Sequence, residues 1–236
     1  QALFQAGGFA RIESDTVEKC SFLRTLGINL NLAPVCDVSQ NQEDYIYLRT
    51  FGRDAALTAR YVETVVKTMK KQHCGSVLKH FPGYGGNTDT HTGIARDSRP
   101  FETFMTSDFL PFQSGINAGA DMVMVSHTIV DCMDSRYPAS LSPGVHDVLR
   151  QELGFNGVIV TDDLYMEGVR RFAEADQTAE LAVLAVQAGN DMLCCTDFEA
   201  QILSVLRSVG EGILSESRID ASVRRILAMK ISLGLL

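Results

Sequence analysis

The chain has 236 residues, 45% of them hydrophobic and 21% charged, an ordinary globular balance that suits one domain of (β/α) type over 1–236. Its 21 Lys+Arg against 29 Asp+Glu leave a formal net charge of −8 with no basic cluster, so neither nucleic acid nor an anionic membrane is expected as a partner. No run of about 18 apolar residues is present to cross a bilayer.

The opening QALFQAGGFARIESD lacks a Met, a basic start and an apolar h-region. It is expected to be a helix-like entry from something longer rather than a signal peptide. Five short apolar runs then read as buried strands: INLNLAPV (28–35), SVLKHF (76–81), DMVMVSH (121–127), GVIVTDD (157–163) and DMLCC (191–195). They are continuous rather than alternating, as in a parallel sheet covered on both faces. Helical patterns separate them, near 54–72, 101–118, 142–153, 173–188 and 198–209, with a last one near 217–232. Strands alternating with helices predict a parallel α/β fold.

Ala118-Gly119-Ala120-Asp121-Met122 recurs as Ala188-Gly189-Asn190-Asp191-Met192, each opening a strand. Asp121 and Asp191 are therefore read as structural residues at the N-terminal ends of equivalent βα units. The opposite ends carry Cys36-Asp37, Lys79-His80, Ser126-His127, Thr161-Asp162-Asp163 and Thr196-Asp197. Polar groups at the C-terminal ends of strands are where β/α barrels place their sites. No G-x-G-x-x-G or P-loop follows a strand, which favours a (β/α)8 barrel over a nucleotide-binding open sheet. A closed barrel needs eight strands in about 250 residues. The five read here would supply its C-terminal part, the remainder coming from a missing N-terminal segment or a partner chain.

Six Cys (20, 36, 74, 132, 194 and 195) form no C-x-x-C pair, so no zinc or disulfide framework is expected. Cys36, Cys194 and Cys195 read as small core residues. No metal or other cofactor is expected.

In GVIVTDD the side chains of Asp162 and Asp163 point to opposite faces of an extended strand, so only one can enter a barrel mouth. Periodicity alone does not choose between them. Lys79 at its strand end has two functional readings, a Schiff-base nucleophile or a fixed donor to substrate hydroxyls, beside the plain one of a snorkelling Lys. The stretch KHFPGYGGNTDTH puts two His, a Lys, an Asp and three Gly into thirteen residues. Asp89 and His91 stand two apart at the end of its glycine-rich loop. A carboxylate beside an imidazole orients it and raises its basicity, and a glycine-hinged loop lets such a group approach a substrate. His127 is a further candidate for substrate contact, His73 reads as a turn residue and His146 as a surface residue of a helix.

KHFPGYG with a following DTH, and SLSPGVHDVLRQELGFNGVIVTDDLYMEG, resemble the single-domain β-N-acetylhexosaminidases of glycoside hydrolase family three over about 27–197. The resemblance implies a (β/α)8 barrel and a retaining mechanism through a covalent glycosyl-enzyme. It assigns Asp162 as nucleophile, His91 as acid/base and Asp89 as its orienting partner. Lys79, His80 and Arg49 (in LRTFG) then hold the sugar, with Asp37 and His127 beside them. The implied substrate is a small carbohydrate, terminal β-linked N-acetylglucosamine, such as occurs in peptidoglycan fragments. A bacterial source is implied, with the cytoplasm slightly ahead of export. Tyr84 stands where the family often has His, the loop is one residue short, the D-Q-E-G-G segment is absent and Trp is zero. A His acid/base also leaves less fixed negative charge near the intermediate than a carboxylate, so phosphate could compete with water. The competing readings are a Schiff-base lyase built on Lys79 and a catalytically incomplete, sugar-binding barrel fragment.

Overall fold

Helix and strand boundaries follow from a few polar residues set against apolar runs. Asp54 precedes a stretch whose Thr58, Val62, Val65, Val66 and Met69 recur on one face, and its carboxylate accepts the Leu57 N–H at 2.8 Å. The result is α2 (Ala55–Lys71), a capped amphipathic helix. Ser142 and Ser215 cap α5 (Pro143–Asp147) and α9 (Glu216–Ser232) in the same way. In the computed structural model, which describes residues 1–86, 93–176 and 180–236, these helices cover a short parallel sheet.

The chain enters through α1 (Ala2–Thr25), which is interrupted at Gly7–Gly8, Gly8 taking φ 61°. Phe4 packs at 5.0 Å on Phe51, which stacks at 4.7 Å on Tyr61 of α2 and so joins α1 to α2. β1 (Leu30–Asn31), β2 (Gly75–Phe81), β4 (Met122–Val125) and β6 (Val158–Thr161) form one sheet in the order β1-β2-β4-β6, every pair parallel. A second parallel pair joins β3 (Arg96–Asp97) to β5 (Ile129–Val130). Strand order follows chain order without reversal. That is how successive units of a β/α barrel pair, whereas a doubly wound sheet changes direction at a switch point.

Val62, Leu78, Phe81, Phe112, Val123 and Ile159 fill the layer between the sheet and helices α2 and α4 (Phe109–Asn117). The other sheet face carries Val77, Met122, Met124, Val158 and Val160, covered in part by Ile226 and Met229 of α9. α6 (Glu167–Asp176), α7 (Leu181–Ala188) and α8 (Phe198–Gly210) complete the helical set with α3 (Phe101–Thr103).

Several expected elements differ. The strand expected over 28–35 is reduced to Leu30–Asn31 and one bridge from Val35 to Lys79, because Pro34 has no N–H for the ladder. The strand expected over 191–195 is a single bridge, Val160 to Met192. There the Thr161 hydroxyl accepts the Cys194 N–H at 3.0 Å, displacing a ladder carbonyl. The helix expected over 173–188 is two, since Glu180 is extended at φ −147°. A π-helical turn (Phe104–Asp108) interrupts the one expected over 101–118.

His146, expected at the surface, is buried at 3% exposure. It lies on the inner side of α5 and uses the space left by Gly189, where a Cβ would fall 3.0 Å from its Cδ2. Its Nδ1 pairs with the Ser142 carbonyl at 2.8 Å, and burial pushes its pKa down. Cys36 is a core residue, whereas Cys194 and Cys195 are only half-buried. No described helix is long and apolar enough to cross a membrane.

Candidate active site

The C-terminal ends of the strands gather five of the candidate side chains. The Cys36 N–H donates to the Lys79 carbonyl at 2.6 Å, which sets Asp37 beside the end of β2. The Asp37 side chain is buried. Its Oδ2 accepts the His80 backbone N–H at 3.2 Å and pairs with the His80 ring Nδ1 at 2.8 Å. Its Oδ1 accepts the Tyr84 N–H at 2.8 Å. On the far side of the ring, Arg49 Nη2 lies 3.0 Å from His80 Nε2. A guanidinium can only donate, so Nε2 is the acceptor and Nδ1 carries the proton toward Asp37. Arg49, His80 and Asp37 thus form one directed chain.

Lys79 precedes His80 on β2, and the peptide between them is cis. Strand register shifts between Leu78 and Phe81, so both of these face the helix layer although three positions apart. Burial first, and then the Arg49 charge, lower the Lys79 pKa from its ordinary 10.5, while Asp162 and Asp37 pull it back up. The charges that act on the Lys79 ammonium thus come from separate parts of the chain: Arg49 from a 3-10 turn, Asp37 and Asp162 from the residues after two strands.

The two carboxylates after β6 have separate surroundings. Val158 and Val160 face the sheet side away from the α2/α4 layer, and the alternation continued puts Asp162 on that side. The Asp162 N–H donates to the Val125 carbonyl at 3.0 Å. Among the described residues its carboxylate accepts one hydrogen bond, from the Asp163 N–H at 2.9 Å. Asp163 is tied down elsewhere. It accepts the Thr196 hydroxyl at 2.6 Å, the Thr196 N–H at 3.2 Å and the Tyr165 N–H at 2.9 Å. Burial alone would raise the Asp163 pKa, but these donors, led by the Thr196 hydroxyl and aided by His127, bring it below its ordinary value.

His127 is buried, and both ring nitrogens meet the protein: Nδ1 the Ser140 hydroxyl at 2.7 Å and Nε2 the Asp163 carbonyl at 2.9 Å. It braces the segment that carries Asp162. Asp89 and His91 lie outside the described residues. No cluster among the described residues has the ligands to hold a metal ion. The sequence reading missed the Tyr84 N–H, the Thr196 clamp on Asp163, and a group beneath the glycine turn in which half-buried Arg99 meets the buried Asp97 and Asp108. Only the last had a signal, charged residues flanking a segment of Phe side chains.

Compared with known proteins, residues 2–229 match the family described as Glycosyl hydrolase family 3 N terminal domain. A Beta-hexosaminidase of Xanthomonas campestris pv. campestris (strain B100) is 34% identical over 161 residues, 68% of this chain and 48% of that protein. A Beta-hexosaminidase of Methylococcus capsulatus is 30% identical over 94% of this chain and 65% of that protein. Among solved structures, a glycoside hydrolase family 3 beta-N-acetylglucosaminidase from Paenibacillus sp. str. FPU-7 superposes with TM-score 0.91 at 34% identity, over 99% of this chain and 45% of that one. The chain spans about half the length of the first of these relatives.

Proposed function

The chain belongs to glycosyl hydrolase family 3, and from that premise we propose that it forms the catalytic part of a retaining glycosidase removing terminal β-linked N-acetylglucosamine. Asp162 attacks the anomeric carbon, and a His91 imidazole oriented by Asp89 protonates the leaving oxygen and later activates water. Lys79 and Arg49 hold the sugar hydroxyls, His80 and Asp37 order Arg49 from behind, and His127 acts through the Asp163 carbonyl. Peptidoglycan fragments, which end in this sugar, are the proposed source of substrate.

The observation that carries the reading is the division of labour between the paired carboxylates. Asp163 is fully engaged by Thr196 and Tyr165, whereas Asp162 lies on the face of Lys79 with one hydrogen bond among the described residues. A nucleophile needs an accessible carboxylate whose acceptor capacity is left open, and among the described residues Asp162 is the less engaged of the two. The Lys79 pKa is lowered but opposed by two carboxylates.

Hydrolysis of a chromogenic β-N-acetylglucosaminide by the chain, beside Asp162→Ala and His91→Ala, tests the reading. Activity that collapses in Asp162→Ala and falls strongly in His91→Ala is the expected result. Activity retained in Asp162→Ala removes the assigned nucleophile. In phosphate buffer, product analysis separates the acceptors: a sugar 1-phosphate means that phosphate competes with water, and free sugar alone means that it does not.

A second reading, sugar binding without turnover, is favoured by the sheet itself, an open arc of four strands plus the Met192 bridge among the described residues. Binding of N-acetylglucosamine by a folded chain with no hydrolysis would support it.

A further inference from the structure

Arg99 has no part in the site as assigned, yet its surroundings are unusually specific. The guanidinium donates through Nε to both carboxylate oxygens of Asp97 at 3.0 Å and through Nη2 to Oδ2 at 2.8 Å. It donates to Asp108 through Nη1 at 3.0 Å and Nη2 at 3.2 Å. Asp97 and Asp108 are 2% and 1% exposed, so the group carries more buried negative charge than positive. Phe104 closes one side, its ring centroid 4.4 Å from the guanidinium carbon. Apolar side chains could fill such a space without desolvating three charges.

The turn that leads out of β2 lies directly on this group. Arg99 Nη2 approaches the Gly83 carbonyl at 3.5 Å. A Cβ at Gly83 would fall 2.5 Å from Asp108 Oδ1, and one at Gly85 2.6 Å from Arg99 Cζ. Both glycines have positive φ, 122° and 55°. The backbone is therefore moulded to the ion group on either side of Tyr84. The Tyr84 N–H is one of the donors to Asp37, and its ring lies edge-on to His80 at 5.5 Å.

We propose that Arg99 is a positioning residue for the Arg49–His80–Asp37 chain. Clamped by Asp97 and Asp108, it fixes the Gly83–Gly85 turn; the Tyr84 N–H on that turn then fixes Asp37, and Asp37 fixes the His80 ring. A planar fork meeting two carboxylates sets orientation as well as charge, which a Lys at this position would not. The kinetic consequence rests on the glycosidase reading; the positioning itself does not.

The test uses Arg99→Met and Arg99→Lys in the whole chain, with two readouts. With a chromogenic β-N-acetylglucosaminide, KM should rise about tenfold in Arg99→Met while kcat stays within about threefold, the pattern of lost sugar binding. Arg99→Lys should fall between that variant and the parent. Independently, long-range nitrogen–proton spectra of the histidine rings, with His80 assigned from His80→Gln, should find one Nδ1-protonated tautomer in the parent. In both Arg99 variants the His80 resonances should move toward tautomer-averaged positions.

Variants that unfold at lower temperature but keep KM and the His80 resonances would make Arg99 an ordinary structural residue and overturn the proposal. If the parent proves to have no glycosidase activity, the ring resonances alone decide the matter. If Arg99→Met does not fold, Arg99→Lys carries both readouts, since it keeps the charge and loses only the fork.

Discussion

The two rims of the sheet use the same residue type in opposite ways. At the N-terminal rim, Asp121 and Asp191 occupy equivalent loops, and each reaches back to the preceding strand. Asp121 accepts the Ser76 N–H at 2.9 Å, and Asp191 the Ile159 N–H at 3.0 Å. Asp191 is then closed off by Arg150 at 2.8 Å, Ser222 at 2.8 Å and Arg225 at 3.0 Å. Both Asp191 oxygens are thus committed to holding strand to helix. At the C-terminal rim, the Asp162 charge acts on Lys79, and Asp162 has a single hydrogen bond among the described residues. A carboxylate becomes scaffold when the surrounding donors saturate it. It becomes a candidate for chemistry when a cation lies nearby and its acceptor capacity stays open.

The largest expected effect sets the rims against each other. Removing one partner from a buried ion group leaves the others uncompensated, so Asp191→Ala should cost about 3 kcal/mol in urea unfolding. Activity per folded molecule should be unchanged. Asp162→Asn should do the reverse, lowering kcat roughly a thousandfold or more with little loss of stability. If both variants lose stability equally, the contrast between the rims fails.

A middle-sized effect tests Asp163, which lies at the C-terminal rim but is held like a scaffold residue. Thr196→Val deletes the hydroxyl donor and should cost about 1 kcal/mol in urea unfolding. Because the Asp163 pKa is depressed in the folded protein, its contribution to stability is present above the unfolded carboxylate pKa and is lost as pH falls through the folded value. Thr196→Val should shrink that acid loss, read from unfolding midpoints across an acid pH series.

The smallest expected effect is a change in slope. Burial raises the Asp108 pKa from 3.8 to about 6, with Asp37 and Asp97 adding to the rise and Arg99 opposing it. The folded chain thus binds more protons than the unfolded chain between these values. The contribution of Asp108 is full below about 3.9 and is lost as pH rises through about 6. Asp108→Asn should flatten that segment of the stability curve, and an unchanged slope would place the titration elsewhere.

Much of the frame was legible from residue order. The recurrence of Gly-x-Asp-Met before two strands marked equivalent units, and Gly119 and Gly189 both take the positive φ, 89° and 125°, that such a helix end requires. Polar residues at the ends of apolar runs marked the rim on which the structure gathers Asp37, Lys79, His80, His127 and Asp162. Strand lengths were less legible, since Pro34 and the Thr161 hydroxyl each replace a ladder bond by local means. His146 was misread because its burial depends on a missing Cβ at Gly189, forty-three positions away in sequence.

Local chemistry and periodicity thus determined the alternation of strand and helix, the parallel sheet and the rim on which titratable groups collect. These depend on neighbouring residues and on the period of the apolar pattern. How each group on that rim is engaged was decided only by tertiary structure. Asp162 and Asp163 are identical in type and adjacent in sequence, and they part company because Thr196 arrives from the next unit to saturate one of them. His80 receives its tautomer from Arg49 on one side and Asp37 on the other, both from distant positions. Hydrogen-bond saturation and desolvation depend on what packs against a group in space, and no local pattern encodes it.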